Sequence, residues 1–149
     1  MLGSGLVPVY LATAQALDGE MAARIARHRE RRGDRWSVVE EPLDLADALG
    51  RTAGEGRAVL VDCLTLWLTN LMLAGREPER EADRLLDALA TLRGPAVLVG
   101  NEVGWGVVPT NALARRFADE AGRLHQRVAA LADAVVLVAA GLPLRLKGG

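Results

Sequence analysis

The sequence predicts a single α/β domain, spanning residues 1–149, in which a mostly parallel β-sheet is flanked by helices. Short, continuously hydrophobic segments recur along the chain, and segments with helical periodicity separate them. Segments without polar alternation are typical of strands that are buried on both faces, as in a parallel sheet. Half of the 149 residues are hydrophobic, which is enough to form one core. Strands that alternate with helices in this way place the chain in the α/β class.

The strands are predicted from runs of aliphatic residues, and the first run lies close to the start of the chain. Because no edge element precedes it, this run is either the first strand of a small sheet or the successor of a segment that is missing upstream. The tail from Gly141 to Gly149 has room for one further short strand. The four runs are Val7–Ala12, Ala58–Asp62, Ala96–Gly100 and Ala134–Ala140.

Helical patterns occupy the segments between these runs. Asp18 is a residue type that caps helices, and Pro42 is favoured in a first helical turn. The last helix is predicted to be capped by Thr110, and its hydrophobic residues recur every three to four positions to form one apolar stripe. That stripe consists of Leu113, Phe117, Ala121, Leu124, Val128 and Leu131. The helices before it are predicted from Asp18 to Arg32, Pro42 to Gly50, Asp62 to Leu73 and Pro78 to Gly94.

The composition excludes several classes of protein. The net charge is −1, with acidic and basic residues mixed along the chain, which argues against general nucleic-acid binding. No apolar run reaches the roughly 18 residues that span a bilayer, and the opening MLGSGLVPVY lacks the features of a secretion signal. Cys63 is the only cysteine, so neither a disulfide framework nor a cysteine-rich zinc site is expected. These features predict a soluble cytoplasmic protein.

Two scarce residue types narrow the chemistry further. Serine occurs only at Ser4 and Ser37, so the serine nucleophile elbow of hydrolases is not available. Lysine occurs only at Lys147, whereas a Walker-type phosphate-binding loop needs a glycine-rich turn followed by Lys and Ser or Thr. The opening Gly3–Gly5 has the glycines without the lysine, so no such loop is expected in this chain.

Polar residues that directly follow the strands are the first candidates for a ligand site. In open α/β sheets, ligands bind beyond the carboxyl ends of the strands. Asp62 ends a hydrophobic strand, as do the acidic residues that hold Mg²⁺ beside phosphates in nucleotide enzymes. The alternative is that Asp62 caps the helix that follows it. The candidates after the first three strands are Thr13, Gln15, Asp62, Thr65, Asn101 and Glu102.

His28 lies in the first predicted helix and has two interpretations. Met21, Ile25 and His28 share one helix face, so the histidine is either the end of an apolar face or a functional group. In the functional interpretation, the imidazole attacks the α-phosphorus of a nucleotide while neighbouring arginines neutralise the triphosphate. Those arginines form a stripe on the same helix, at Arg24, Arg27 and Arg31. Spacing alone leaves both interpretations open.

Two further features are notable, one in the last helix and one in the loop before it. His125 follows Leu124 of the apolar stripe, so a structural role is expected for it. The stretch GNEVGWGVVPT, residues 100–110, is a glycine-rich loop at the carboxyl end of a strand. This loop either binds a ligand or forms a packing or subunit contact, and Trp105 suits both roles.

In their order along the chain, these segments resemble the bifunctional adenosylcobinamide kinase / adenosylcobinamide-phosphate guanylyltransferases of cobalamin biosynthesis. The matching stretches are VYLATAQALDGEMAARIARHRERR, WSVVEEP, LVDCLTLWLTNL, NEVGWGVVP and LARRFADEAGRLHQRVA, which cover almost the whole chain. The resemblance implies a P-loop nucleotide-binding fold of RecA-like type and a homotrimer. It also implies phosphorylation of adenosylcobinamide by ATP or GTP, followed by transfer of GMP from GTP through a guanylyl-histidine to give adenosylcobinamide-GDP.

The resemblance also implies roles for individual residues. His28 matches the histidine that is guanylylated. Asp62 matches a nucleotide-site position, at the place where the residue pattern also predicts an Mg²⁺ ligand. The other positions that match nucleotide-contacting residues are Thr13, Ala14, Gln15, Arg29, Glu30, Arg31, Arg32 and Glu40. Adenosylcobinamide and GTP or ATP are the implied binding partners.

The chain departs from the family pattern at its beginning. The family opens with a strand and a Gly-Gly-x-x-Ser-Gly-Lys-Ser loop, and neither precedes Val7. Phosphoryl transfer depends on positioning and charge neutralisation, so loss of this loop is expected to abolish kinase activity. The expectation is a shortened sequence record with unpaired strand edges beside the first strand, and the alternative is a non-catalytic remnant or partner-binding subunit. Thr110 also stands where an acidic residue often follows Val-Pro.

Overall fold

The computed structural model describes residues 5–149, so Met1–Ser4, and with them most of the Gly3–Gly5 opening, lie outside the described residues. The strands are β1 (Val7–Ala12), β2 (Ser37–Glu40), β3 (Arg57–Asp62), β4 (Ala96–Val99), β5 (Val135–Ala139) and β6 (Leu142–Lys147). The helices are α1 (Gly19–Arg32), α2 (Leu45–Thr52), α3 (Leu64–Leu73), α4 (Pro78–Ala90) and α5 (Ala112–Leu131). Within residues 5–149, every helix is too short or too polar to cross a membrane.

Four strands form a parallel sheet in the order β2-β1-β3-β4, which confirms the predicted fold class. β1 pairs with β3 along its whole length, from Val7 opposite Arg57 to Ala12 opposite Asp62. On its other side β1 pairs with β2, so it is an interior strand. The expectation of unpaired edges beside the first strand is therefore wrong. The parallel register brings the carboxyl ends of the strands to the same side of the sheet.

β2 is a strand that the hydrophobic runs did not predict. It has four residues, of which only Val38 and Val39 are aliphatic, so the run is too short to stand out. Its pairing with β1 defines it, because Val39 lies opposite Leu11 and packs against the core on the same side. A strand of this kind is recognisable only once its neighbour is known.

The last predicted run does not join the parallel sheet. β5 instead pairs with β6 in a separate, two-stranded antiparallel sheet. Between them, Ala140 and Gly141 have φ angles of 52° and 78°. Positive φ at two consecutive residues is typical of a type I′ turn, which joins antiparallel strands. The predicted strand in the tail is thus confirmed as β6. Because a tight turn joins it to β5, the two strands pair with each other.

The beginning of α2 differs from the prediction because of one carboxylate. Glu41 Oε1 accepts hydrogen bonds from the backbone amides of Leu43 and Asp44, at 3.1 and 3.0 Å. These bonds form a turn ahead of the helix, and α2 therefore begins at Leu45 rather than at Pro42.

Other helix boundaries also differ from the prediction, since α2 ends at Thr52 rather than at Gly50 and α3 begins at Leu64 rather than at Asp62. α4 ends at Ala90 rather than at Gly94. α5 is capped by Asn111 rather than by Thr110, since Asn111 Oδ1 accepts a hydrogen bond from the amide of Leu113 at 2.8 Å. Asn is among the strongest N-cap residues, so it displaces the weaker threonine beside it.

The core lies on one face of the parallel sheet, against α2, α3, α4 and α5. Side chains alternate along a strand, so the odd-numbered residues of β1 and β3 face this core. Of the predicted α5 stripe, Ala121 and Leu124 are buried while Leu113 and Leu131 at its two ends are exposed. α1 has no buried residue and lies outside the core. The core includes Val9, Leu11, Leu45, Leu49, Val59, Val61, Leu64, Trp67, Leu71, Leu85 and Leu124.

Candidate functional site

Thr13, the first residue after β1, joins the carboxyl ends of β1 and β3. Its backbone amide donates a hydrogen bond to the Asp62 carbonyl at 3.1 Å. Its hydroxyl donates to the Cys63 carbonyl at 2.8 Å and accepts from the Cys63 amide at 2.9 Å. Thr13 is completely buried, and its hydrogen bonds hold the carboxyl ends of the two strands together. Ala14 and Gln15 are half-buried in the turn that follows.

Cys63, not Asp62, caps the helix that follows β3. Cys63 Sγ accepts a hydrogen bond from the amide of Leu66 at 3.4 Å and lies 3.1 Å from Thr65 Oγ1. Thr65 Oγ1 in turn accepts a hydrogen bond from Asn101 Nδ2 at 2.8 Å, which ties the segment after β4 to α3. The alternative role of Asp62 as the helix cap is therefore wrong. Its carboxylate is left for other partners.

Asn70 is a member of this site that the sequence pattern missed. Its Nδ2 donates hydrogen bonds to the carbonyls of Thr13, at 2.7 Å, and Pro42, at 3.1 Å. These bonds hold the turn after β1 against the segment that leads to α2. The signal was its place in the otherwise apolar segment LTLWLTNLML, because a buried amide requires hydrogen-bond partners.

Tyr10 lies on the sheet face opposite the core and contacts three residues of the site. Its hydroxyl donates a hydrogen bond to Asp62 Oδ2. The guanidinium carbon of Arg32 is 3.8 Å from the centroid of the phenol ring, a cation–π contact. The ring of Trp36 packs edge-on, with centroids 6.0 Å apart and an interplanar angle of 83°.

The hydroxyl of Tyr10 remains a donor at any pH near neutrality. Burial raises the pKa of Tyr10 well above its ordinary value, and the hydrogen bond to Asp62 raises it further, while Arg32 acts in the opposite direction. Sequence reasoning also missed this residue. The available signal was that the only tyrosine of the chain lies on a buried strand.

His28 is exposed on α1. The helix begins after Asp18, which confirms the predicted cap, because Asp18 Oδ1 accepts a hydrogen bond from the amide of Met21 at 2.7 Å. Met21 and Ile25, on the same face as His28, are only half-buried. His28 therefore does not end a buried apolar face, and its imidazole is open to a ligand.

A groove lies beside the carboxyl-terminal end of α1. It has a volume of about 690 Å³ and opens widely to solvent. In its wall, Arg29 Nη2 and Glu40 Oε1 form a salt bridge of 2.8 Å. Both side chains are exposed, so this pair adds little to stability and a charged ligand can replace either partner. The groove is lined by Arg29, Arg32, Gly33, Asp34, Trp36, Val38 and Glu40.

The structure brings together some of the predicted nucleotide-contacting residues and not others. Arg29, Arg32 and Glu40 line the same groove. Glu30 and Arg31 are exposed on α1, and among the residues that the structure describes they form no salt bridge. The groove thus collects residues from α1 and β2 that lie apart in sequence.

The glycine-rich loop, residues 100–110, is almost entirely exposed. Within it, Glu102 Oε1 accepts a hydrogen bond from the amide of Gly104 at 2.6 Å. Trp105 is 75% exposed. An aromatic ring with this exposure is available for a ligand or for a second subunit, so both interpretations of the loop stay open.

His125 packs against Gly100 just beyond the end of β4. A Cβ atom on residue 100 would lie 2.6 Å from His125 Nε2, so any residue other than glycine there would force the imidazole to shift. Nε2 is buried and has no hydrogen-bond partner within residues 5–149. Burial lowers the pKa of His125, and Glu102 partly opposes that shift. These contacts agree with the structural role that is expected for His125.

The chain is similar to known proteins over almost all of its length. The family model for cobinamide kinase / cobinamide phosphate guanyltransferase matches residues 3–146. The bifunctional adenosylcobalamin biosynthesis protein CobP of Pseudomonas aeruginosa is 54% identical over 148 residues, which cover 97% of this chain and 85% of that protein. Proteins named bifunctional adenosylcobalamin biosynthesis protein CobU, from Escherichia coli K12 and Salmonella typhimurium, are 36% and 40% identical over 162 residues. Each of these two matches covers 99% of this chain and 90% of the relative.

Proposed function

The chain belongs to the cobinamide kinase / cobinamide phosphate guanyltransferase family, and on that premise we propose that it transfers GMP from GTP to adenosylcobinamide phosphate through His28. The first reaction of the family, phosphorylation of adenosylcobinamide by ATP or GTP, supplies the acceptor. The observation that carries the proposal is the exposed imidazole of His28 on α1, one residue before Arg29 and four before Arg32, both of which line the groove. A nucleophile and two cations on the same helix suit attack on a nucleotide phosphate.

In the first step, an imidazole nitrogen of His28 attacks the α-phosphorus of GTP. A phosphorus–nitrogen bond forms, the bond from the α-phosphorus to the bridging oxygen breaks, and pyrophosphate leaves. Imidazole is a nucleophile near neutral pH and needs no strong base. Because charge increases on the departing pyrophosphate, the planar guanidinium groups of Arg29 and Arg32 stabilise this step.

In the second step, a phosphate oxygen of adenosylcobinamide phosphate attacks the guanylyl phosphorus. The phosphorus–nitrogen bond breaks and His28 is regenerated. The new phosphate–phosphate linkage gives adenosylcobinamide-GDP. The exposure of His28 supports this step, since a bulky corrinoid substrate has to reach the phosphorus from solvent.

The groove offers contacts for a guanine nucleotide. The guanine ring carries two adjacent N–H donors, which one carboxylate such as Glu40 accepts in a bidentate arrangement. Adenine lacks this pair of donors. The indole of Trp36, which lines the same groove, provides an apolar surface for the base. On binding, Glu40 would release its exposed salt bridge with Arg29 and accept hydrogen bonds from the base. Arg29 would then be free to bind a phosphate group.

Asp62 fits an Mg²⁺ ion that arrives with the triphosphate. Within residues 5–149, no cluster of three or more His, Cys, Asp or Glu side chains is arranged to hold a metal by itself. Mg²⁺ in nucleotide sites is instead held by one or two carboxylates together with phosphates and water. Asp62 Oδ2 accepts the hydrogen bond from Tyr10, which leaves Oδ1 for a cation. When bound, the ion supplies charge neutralisation at the phosphates.

A homotrimer in the cytoplasm is the further expectation from the family resemblance. The β5–β6 hairpin supports an assembly, because Val138, Leu142, Leu144 and Leu146 are exposed apolar side chains on it. Light scattering at several protein concentrations measures the mass directly. A monomer at every concentration would contradict this expectation.

The proposed covalent intermediate can be trapped with GTP labelled at the α-phosphate. We expect an adduct that is stable in base and labile in acid, as a phosphorus–nitrogen bond is, and that is absent from His28→Asn. The chain contains two histidines, so His125→Asn is the matched control and should retain the label. Label on His28→Asn but not on His125→Asn would refute the assignment. A folded chain that binds GTP without labelling would favour the non-catalytic alternative.

A further inference from the structure

Tyr10 contacts two charged groups of opposite sign, Arg32 and Asp62. Its hydroxyl donates to the carboxylate of Asp62, and its ring carries the guanidinium of Arg32 at 3.8 Å. Among the residues that the structure describes, Arg32 and Asp62 form no salt bridge with each other. The carboxylate thus meets the hydroxyl end of the phenol, and the guanidinium meets the face of its ring.

This separation matters because a direct salt bridge would neutralise both groups. A guanidinium that stacks on a ring retains its N–H donors at the edge of its plane, free for phosphate oxygens. A carboxylate that accepts one hydrogen bond through Oδ2 retains Oδ1 for a cation. Tyr10 itself is 8% exposed and packs against Trp36, so its position is defined by the fold rather than by the ligand.

We propose that Tyr10 is a positioning residue for nucleotide binding: its hydroxyl orients Asp62 toward the metal ion, and its ring holds Arg32 toward the phosphates. The inference rests on the proposed function, in which Asp62 and Arg32 face a nucleotide with its metal ion. It assigns separate roles to two parts of one side chain. The hydroxyl affects metal binding through Asp62, and the ring affects nucleotide binding through Arg32.

The two roles are separable by substitution. Tyr10→Phe removes the hydroxyl and keeps the ring, whereas Tyr10→Leu removes both. Thr91→Val is the control for loss of a side-chain hydroxyl, because Thr91 Oγ1 bonds only to backbone carbonyls at the end of α4. The probes are Mn²⁺, titrated in the presence of the unreactive α,β-methylene analogue of GTP, and the same analogue titrated alone in a chelator.

We expect Tyr10→Phe to lower Mn²⁺ affinity about tenfold, as loss of a partner behind a metal ligand typically does. Its affinity for the analogue in chelator should stay within about twofold of the unmodified protein, because Arg32 is still held by the ring. Tyr10→Leu should weaken both affinities, and Thr91→Val neither. A general loosening of the fold would instead reduce both affinities in Tyr10→Phe.

Asp62→Asn separates failure of this inference from failure of the proposed function. If Asp62→Asn loses Mn²⁺ affinity and Tyr10→Phe does not, Tyr10 does not position the carboxylate and the inference is overturned. If Asp62→Asn binds Mn²⁺ normally, Asp62 is not a metal ligand, and that part of the proposed function fails together with the hydroxyl role. Equal affinities of Tyr10→Leu and Tyr10→Phe for the analogue in chelator would overturn the role of the ring.

Discussion

Replacing Thr13 by valine removes one hydroxyl from a completely buried position and leaves the shape of the side chain almost unchanged. The hydroxyl serves both the amide and the carbonyl of Cys63, at 2.9 and 2.8 Å. In Thr13→Val neither backbone group keeps that partner, and a valine methyl group stands in the place of the oxygen. The change therefore tests whether this hydroxyl holds the ends of β1 and β3 together.

The magnitude follows from the Cys63 amide, which loses its partner, whereas the Cys63 carbonyl still accepts a hydrogen bond from the amide of Trp67 at 3.1 Å. A buried donor or acceptor that loses its partner costs about 1–3 kcal/mol. Because one buried donor is left unpaired, we expect Thr13→Val to lose about 1–3 kcal/mol of unfolding free energy. Thr13→Ser keeps the hydroxyl and loses one buried methyl group, which costs about 0.5–1.5 kcal/mol. The serine variant should therefore be the more stable of the two.

Urea unfolding followed by tryptophan fluorescence measures this order. Trp67 is 1% exposed, so its emission reports exposure of the core. The comparison is valid where the slope of free energy against urea is the same for both variants. If Thr13→Val is as stable as Thr13→Ser, the hydrogen bonds of Thr13 do not hold the ends of β1 and β3 together, and the reasoning is refuted.

Two further predictions concern His125. Gly100→Ala should lose about 1–3 kcal/mol of stability, because its Cβ would lie 2.6 Å from His125 Nε2. In a His125→Ala background, where the imidazole is absent, Gly100→Ala should cost much less stability than it does in the unmodified protein. If the two substitutions instead lower the free energy of urea unfolding additively, the contact is contradicted. Because burial lowers the pKa of His125 below 6.5, the unfolded chain takes up the proton first as the pH falls. The part of the unfolding free energy that depends on neutral His125 should therefore be fully present above about pH 6.5 and should decline as the pH falls through the lowered pKa. His125→Asn should lack this part of the decline in unfolding measured across that range, and identical profiles for the two proteins would contradict it.

Local pattern was sufficient for much of the fold and for the family. Three strands of the parallel sheet were predicted within one residue at each end, because strands buried on both faces have unbroken runs of aliphatic residues in their sequence. The cap Asp18 and the extent of α1 were also predicted, since a helix start is defined by a few consecutive residues. The family resemblance, which depends on the order of motifs along the chain, was confirmed over residues 3–146.

The positions of the strand ends likewise located the candidate site. Thr13 and Asp62 follow directly from the rule that ligands bind beyond the carboxyl ends of parallel strands. The roles assigned to His28, Arg29, Arg32 and Glu40 stay predictions, which the labelling and binding experiments above address.

Only the tertiary structure decided which polar groups pair with one another. Tyr10 and Asp62 are 52 positions apart in sequence, and Asn70 is 57 positions from its partner Thr13. Nor did the sequence distinguish Cys63 from Asp62 as the cap of α3, because both lie where a cap is expected. A local pattern reports burial and backbone preference, whereas a hydrogen bond between strands depends on register and on the direction of each side chain. In this protein the register of β1 against β3 determines both, and it leaves Asp62 facing Tyr10 rather than the helix.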